Sequence, residues 1–286
     1  MSILKDLQIR FRNGSIVEQL IYINIAVFIV TLLLGSFSGL FDSKPDFIGD
    51  WFALSSSFEI WITRPWTIVT YGFFHGGFMH ILFNLLWLYI FGRLFLDYFT
   101  PKQLLNFYLL GTVFGGLAYM LSYNFFPVFE GKLGSMVGAS AGVSAIIIGT
   151  ATYIPNYKIH FRFIGPIKVW HLAAFFIIID LLQMSSLKNG GGHISHLGGA
   201  LFGFLYVRQA SNKKLNIFGS FSNLFKRKEK PLKTVHKSKR RRPAPQPKHV
   251  KSDKQQKIDD ILDKISKSGY DTLTKEEKEF LFKQGK

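Results

Sequence analysis

The sequence predicts an all-α membrane protein: a bundle of six transmembrane helices followed by a basic cytoplasmic tail and a small helical hairpin. Three observations predict it. Apolar residues make up 48% of the 286-residue chain and fall in clustered runs, as membrane-spanning segments do. Phe alone accounts for 30 residues, a composition suited to lipid-facing and helix-packing surfaces. The formal charge of +17 lies mostly outside the apolar runs. Between Ser211 and Ser252 stand fourteen Lys or Arg against one acid, Glu229. Cysteine is absent, which excludes disulfides and thiolate metal sites.

In chain order, Met1 to Val17 is a basic amphiphilic lead-in carrying Lys5, Arg10 and Arg12. The first apolar run, Glu18 to Phe37, is long enough to cross a hydrocarbon core. It is too long for a cleavable signal and has no small-residue cleavage site behind it. The second span is Gly77 to Phe95 and the third Leu104 to Phe125, with Gly111 and Gly115 spaced for close packing. The fourth, Met136 to Ile154, stops at Pro155; the fifth is Ile167 to Met184; the sixth is His193 to Val207, behind a flexible Gly190-Gly191-Gly192. Between the first two spans, Ser38 to Gly76 is too long for a bare connection. Its Trp51, Phe52, Phe58, Ile60, Trp61 and Trp66 predict a segment at headgroup depth.

Lys and Arg near the span ends set the orientation. One side holds Lys5, Arg10, Arg12, Arg93, Lys102, Lys158, Arg162, Lys168 and the tail; the other holds Lys44, Arg64, Lys132 and Lys188. Both termini are therefore expected in the cytoplasm. The expected domains are a membrane domain over 1–209, a basic flexible linker over 210–251 and a hairpin over 252–286. A cationic run beside a membrane helix fits anionic lipid headgroups better than nucleic acid. In the hairpin, Ile258, Ile261, Leu262 and Ile265 follow helical spacing, Ser268-Gly269-Tyr270-Asp271 breaks the helix, and Thr274 with Glu277 makes a capping box. The short termini and the absence of a transit peptide favour a bacterial plasma membrane.

Polar residues from three spans converge on one depth. Gly138-Ala139-Ser140-Ala141-Gly142 sets a serine among small residues in the fourth span. The Gly-x-Ser-x-Gly pattern elsewhere marks a nucleophile on a strand-to-helix turn, but small residues also serve helix packing. His80 and Asn84 lie one turn apart in the second span, and His196 lies near the start of the sixth. Polar groups at that depth are costly unless they face the protein interior or water. Together they supply what acyl transfer needs: Ser140 as nucleophile, His196 as general base and then acid, and Asn84, His80 and the Ser140 N–H as oxyanion donors. Gly199 and Gly203 follow His196 as a Gly-x-x-x-Gly face that lets the sixth span approach the fourth closely.

Three segments carry a resemblance: His75-Gly-Gly-Phe-Met-His80-Ile-Leu-Phe-Asn84, Gly138-Ala139-Ser140-Ala141-Gly142, and His196-Leu-Gly-Gly199-Ala-Leu-Phe-Gly203. With the aromatic first loop and Arg64-Pro65-Trp66-Thr67, the stretch from Gly14 to Arg208 resembles the rhomboid family of intramembrane serine proteases. The resemblance implies a cavity open outward, a Ser140–His196 dyad, His80 and Asn84 in the oxyanion hole, and membrane-protein substrates cut in or near a transmembrane segment, with neither metal nor ATP. Two positions depart from the pattern. Ser144 stands where an aromatic usually braces the catalytic histidine, and Thr67 follows Trp66 where the family often has arginine, a place Arg64 can take in space.

Other readings carry less. His193 and His196 are one turn apart, but no His-Glu-x-x-His motif exists, so no metal is expected. Asp180 is expected to serve a helix end or an interhelical hydrogen bond rather than to orient His196. Ser185 to Gly192 reads as a glycine-rich cap over the site. The alternative function is a non-catalytic relative that binds transmembrane segments and controls their fate, which would not need both Ser140 and His196. No internal repeat supports a transporter.

Overall fold

The computed structural model of the protein describes residues 3–40, 47–186, 189–211 and 253–284. Lys44, Lys188 and the linker from residue 212 onward lie outside them, and with them the lipid contacts expected of that linker. The chain divides into two units, residues 1–226 and 227–286.

The first unit opens with α1 (Ile3–Asn13) and α2 (Ile16–Leu40). A capping box separates them: the Ser15 N–H donates to Glu18 Oε2 at 2.7 Å, and the Glu18 N–H donates back to Ser15 Oγ at 3.4 Å. The segment expected at headgroup depth is built of α3 (Phe47–Phe52), α4 (Phe58–Thr63), α5 (Thr67–Thr70) and the two-residue strand β1 (Leu54–Ser55). Its aromatic residues hold it together. Trp66 Nε1 donates to the Trp51 carbonyl at 2.7 Å, and the two indoles stack. The Arg64 guanidinium lies 5.0 Å from the Trp51 ring centre and donates to the Asp50 carbonyl. Arg64 thus secures this loop.

Then come α6 (Phe78–Leu96) and α7 (Pro101–Phe125), the latter started by Pro101 and a Thr100–Gln103 capping box. Strand β2 (Ser135–Met136) pairs antiparallel with β1 and leads into α8 (Ser140–Tyr153). An antiparallel hairpin, β3 (Lys158–Phe161) and β4 (Gly165–Lys168), connects α8 to α9 (Val169–Gln183). Helix α10 (Gly190–Ser211) closes the unit. Among the described residues, Ile16–Phe37, α6 and α7 are long and apolar enough to cross a membrane, and α8 and α9 are shorter apolar helices.

Three expected boundaries are corrected. The fourth apolar run is helical only from Ser140, because Ser135 and Met136 are drawn into the ladder with β1 and Gly138 adopts φ +144°. The fifth loses Ile167 and Lys168 to β4, whose cross-strand pairing outweighs their helical potential. The sixth begins at Gly190 rather than His193. Gly190-Gly191-Gly192 is its first turn: a Cβ on Gly191 would lie 2.5 Å from the Tyr123 ring and 2.7 Å from the Tyr119 ring. Glycine there serves close approach, not looseness. Of the cap expected over Ser185 to Gly192, residues 187–188 lie outside the described ones.

Helix α8 sits between α7, α10 and α6 at the centre of the core, with Val143, Ala145, Ile146 and Ile147 buried beside Phe91, Phe107 and Phe202. Its neighbours approach through glycines. A Cβ on Gly142 would meet the Tyr108 carbonyl of α7 at 2.5 Å, and Cβ atoms on Gly199 and Gly203 would run into the carbonyls of Ala141 and Ala145. These obstacles are backbone atoms and cannot rotate away. Gly199→Val is therefore expected to destabilise the unit by about 3 kcal/mol or more, read as a lowered melting temperature in detergent. An unchanged melting temperature would show that the α8–α10 contact can open.

The second unit is a helix–turn–helix of α11 (Asp253–Ser268) and α12 (Lys275–Gln284). Gly269 turns the chain with φ +81°. The Thr274 N–H donates to Glu277 Oε2 at 2.8 Å, the Glu277 N–H donates to Thr274 Oγ1 at 3.3 Å, and Lys264 Nζ reaches Glu277 Oε1 at 2.9 Å. The Lys264 ammonium and the Thr274 N–H hold the Glu277 carboxyl below the usual carboxylate range.

Candidate active site

Residues from α6, α8, α9 and α10 line one cavity of about 460 Å³ at the amino-terminal end of α8. Ser140, His196, His80 and Asn84 all lie on its wall, with Ser144, Asp180 and His193. Ser140 is the first residue of α8, so its N–H and the next two have no acceptor within the helix. They converge where the positive end of the helix dipole favours a developing anion.

Gly138 makes that start possible. Its N–H donates to the Tyr71 carbonyl at 2.9 Å, and its φ of +144° is one that L side chains rarely adopt. A Cβ there would lie 2.8 Å from His80 Nε2. Tyr71, which the sequence did not single out, ties this turn to the core: it is 1% exposed and its hydroxyl donates to the Thr112 carbonyl at 2.7 Å. Gly142, Gly199 and Gly203 act one step back, by letting α7 and α10 close on α8.

On α6, one N–H of the Asn84 carboxamide donates to the His80 carbonyl at 2.8 Å. That bond fixes the amide plane and leaves the second N–H for another acceptor. The His80 ring meets the edge of His75, with centroids 5.1 Å apart. His75 is buried, and neither of its ring nitrogens has a hydrogen-bond partner among the described residues. Burial first, and then the neighbouring His80, brings the His75 imidazole down to about 4. It is therefore neutral near pH 7, where a cation beside His80 would be costly.

Asp180 makes the interhelical hydrogen bond expected of it, and the expectation that it would not orient His196 is corrected. Its carboxylate is buried and accepts from two imidazoles, His193 Nδ1 at 2.8 Å and His196 Nδ1 at 2.9 Å, both through Oδ1. Asp180 lies one turn before the end of α9, and the two histidines lie one turn apart on α10, so one oxygen reaches both rings. A carboxylate can only accept, so each neutral ring carries its proton on Nδ1 and keeps Nε2 as a base. His193 also answers the missing aromatic at Ser144: its ring meets that of His196 edge-on, centroids 5.7 Å apart. The one-turn spacing of the two histidines was visible in the sequence, but nothing local indicated which carboxylate they share.

Asp180, His193 and His196 also offer three ligand atoms within 4.8 Å of one another. Both Nδ1 atoms are already engaged by the carboxylate, and the arrangement accounts for itself as a hydrogen-bonded pair of imidazoles.

The family model for the rhomboid domain matches residues 63–212. A second model, for a family of unknown function (DUF6576), matches residues 248–283, which covers the helix–turn–helix. The chain is 29% identical over 147 residues to RHOMBOID-like protein 12, mitochondrial, of Arabidopsis thaliana, across 48% of this chain and 44% of that protein. It is 28% identical over 148 residues to Presenilin-associated rhomboid-like protein A, mitochondrial, of Danio rerio, across 51% of this chain and 37% of that protein. The chain thus spans less than half the length of either relative. Both are named as mitochondrial, which runs against the bacterial plasma membrane expected from the sequence. The rhomboid match includes all of α6 to α10 and with them the whole wall of the cavity: the chain is a membrane protein of the rhomboid family.

Proposed function

We propose that this protein is an intramembrane serine endopeptidase that cuts membrane proteins within or beside a transmembrane segment. The observation that carries the reading is the shared cavity wall of Ser140, His196, His80 and Asn84, with His196 held on Nδ1 by Asp180. In the first step Ser140 Oγ attacks the scissile carbonyl carbon as its proton passes to His196 Nε2. The oxyanion takes hydrogen bonds from the Ser140 N–H, the second N–H of Asn84 and the His80 ring. His196 then gives its proton to the leaving amine as the C–N bond breaks. Water, deprotonated by His196, attacks the acyl-enzyme, and Oγ recovers its proton as the acid leaves.

Six spans with both termini on the cytoplasmic side accommodate the three long apolar helices, the shorter α8 and α9, and the 22-residue α10. At 1.5 Å per residue α8 is about 21 Å long, short of the ~30 Å hydrocarbon core. Its first residue would lie below the outer surface, and the irregular backbone ahead of it is tolerated because it is buried in protein or lines the cavity.

The test is a transmembrane reporter with a labile small-residue site, incubated with the purified chain in liposomes. Cleavage that persists in chelator and is blocked by a fluorophosphonate supports the reading. Chelator-sensitive cleavage, or intact reporter with no fluorophosphonate labelling, would defeat it. Asn84→Ala is expected to lower kcat by about 10²–10³ with KM little changed, as for loss of one oxyanion donor. A change confined to KM would remove Asn84 from the oxyanion role.

A further inference from the structure

At the end of the bundle away from the cavity, the carboxyl end of α8 runs into the hairpin of β3 and β4. The hairpin is tied down at its base, where the Val169 N–H donates to the Tyr157 carbonyl at 2.9 Å. Its tip is different. Gly165 turns the chain with φ +92°, and beside it Phe163 is 95% exposed and Ile164 75% exposed. Two large apolar side chains at the end of a polar hairpin lose free energy to water with no packing in return. The strands and tip carry Lys158, Arg162 and Lys168, and no acid.

Two further observations say what meets this tip. Lys158 and Lys168 are direct cross-strand partners. Like charges facing each other across a ladder are unfavourable, and an anion between or above them removes the repulsion. Beside them, Arg93, Asp97, Lys158 and His160 line a cleft of about 330 Å³, where the one carboxylate is outnumbered by the cations. Tyr98, Tyr153, Tyr157 and Trp170 are all exposed at this same end, a ring of the residue types that settle at headgroup depth. The hairpin therefore leaves the bundle at the level of the lipid headgroups.

We propose that the β3–β4 hairpin is an anchor for an anionic lipid surface: Phe163 and Ile164 enter the headgroup–acyl boundary, and Lys158, Arg162, Lys168 and Arg93 hold lipid phosphates. It binds on the face of the bundle opposite the cavity. Neither the chemistry at Ser140 nor the basic linker is part of it.

The chain contains no cysteine, so Ile164→Cys gives a single site for an environment-sensitive fluorophore. The full chain is placed in nanodiscs of phosphatidylcholine with increasing phosphatidylglycerol, some carrying nitroxide headgroup lipid. The expected result is a blue-shifted, nitroxide-quenched signal that grows with phosphatidylglycerol. Neutralising Lys158, Arg162 or Lys168 to Gln is expected to lower the apparent affinity for phosphatidylglycerol by about fivefold each, read from the displacement of the quenching curve. Several results would overturn the proposal: a water-like signal at every composition, full quenching in neutral discs, or an unchanged response in the triple Gln variant. Inorganic phosphate reproducing the response in neutral discs would also overturn it, by making the site one for a free anion. So would a shift in neutral detergent that depends on protein concentration, by assigning the tip to a second copy. Phe163→Ser with Ile164→Ser, checked for an unchanged melting temperature, gives an independent arm. It should lose the phosphatidylglycerol that the parent chain retains in native mass spectrometry, and equal retention would refute the anchor.

Discussion

Ser140→Ala is expected to remove cleavage and fluorophosphonate labelling together while leaving the melting temperature of the purified chain unchanged. In the proposed mechanism Oγ forms and breaks the acyl bond, and the other α8 hydroxyl on the cavity wall, Ser144, lies one turn away from the helix start. Loss of a serine nucleophile elsewhere costs on the order of 10⁶ in kcat, which puts the variant below detection for any slow intramembrane cleavage. The substitution itself is mild. Ser140 makes none of the hydrogen bonds that hold the turn, which rest on the Gly138 N–H and the Tyr71 carbonyl. Residual cleavage equal to that of the parent chain would end the serine mechanism. Loss of cleavage with retained labelling would move the nucleophile to another residue. Parent and variant alike inert and unlabelled would favour the non-catalytic relative that binds transmembrane segments.

The second large effect is expected at Asp180. It touches no substrate in the proposed mechanism and acts by positioning His196. Asparagine in its place keeps the volume but presents an NH₂ as readily as an oxygen. It can then accept the opposite tautomer of His196 and turn Nε2 from base to donor. Where a buried aspartate behind a catalytic histidine is replaced by asparagine, kcat falls by about 10⁴. Here a loss on the order of 10³ or more is expected, because the His193 ring still braces that of His196. Three readouts separate positioning from mere damage. KM should hold while kcat falls, Asp180→Glu should recover part of the activity, and the melting temperature should move far less than the rate. Equal losses in Asp180→Asn and Asp180→Glu with a matching fall in stability would leave Asp180 as a structural hydrogen bond only. His193→Phe tests the neighbouring contact: it keeps a ring against His196 and frees the carboxylate for that histidine alone, so most activity should survive.

The long helices were legible because length and apolarity are local properties. Glu18 to Phe37, Gly77 to Phe95 and Leu104 to Phe125 needed no partner to be recognised, and α2, α6 and α7 follow them closely. The polar residues His80, Asn84, Ser140 and His196 stood out against apolar runs, and the cavity collects all four. Less legible were segments whose form depends on something distant. Ser135 and Met136 look like the start of a helix until Leu54 and Ser55 arrive to pair with them. Three consecutive glycines look like a hinge until Tyr119 and Tyr123 press against them.

The sequence by itself determined that this is a helical membrane protein, and its motifs carried the resemblance to the rhomboid family and singled out the few polar residues proposed for chemistry. The first rests on length and apolarity, which each segment carries by itself, and the second on motifs of a few residues in three segments. Only the tertiary structure decided that α8 begins at Ser140, that His196 and His193 share the Asp180 carboxylate, and that the α8–α9 connection is a hairpin with a bare apolar tip. Each of these is a choice between partners. A carboxylate with several histidines within possible reach, or a short apolar stretch equally able to be strand or helix, takes its form from the neighbour that folding brings to it.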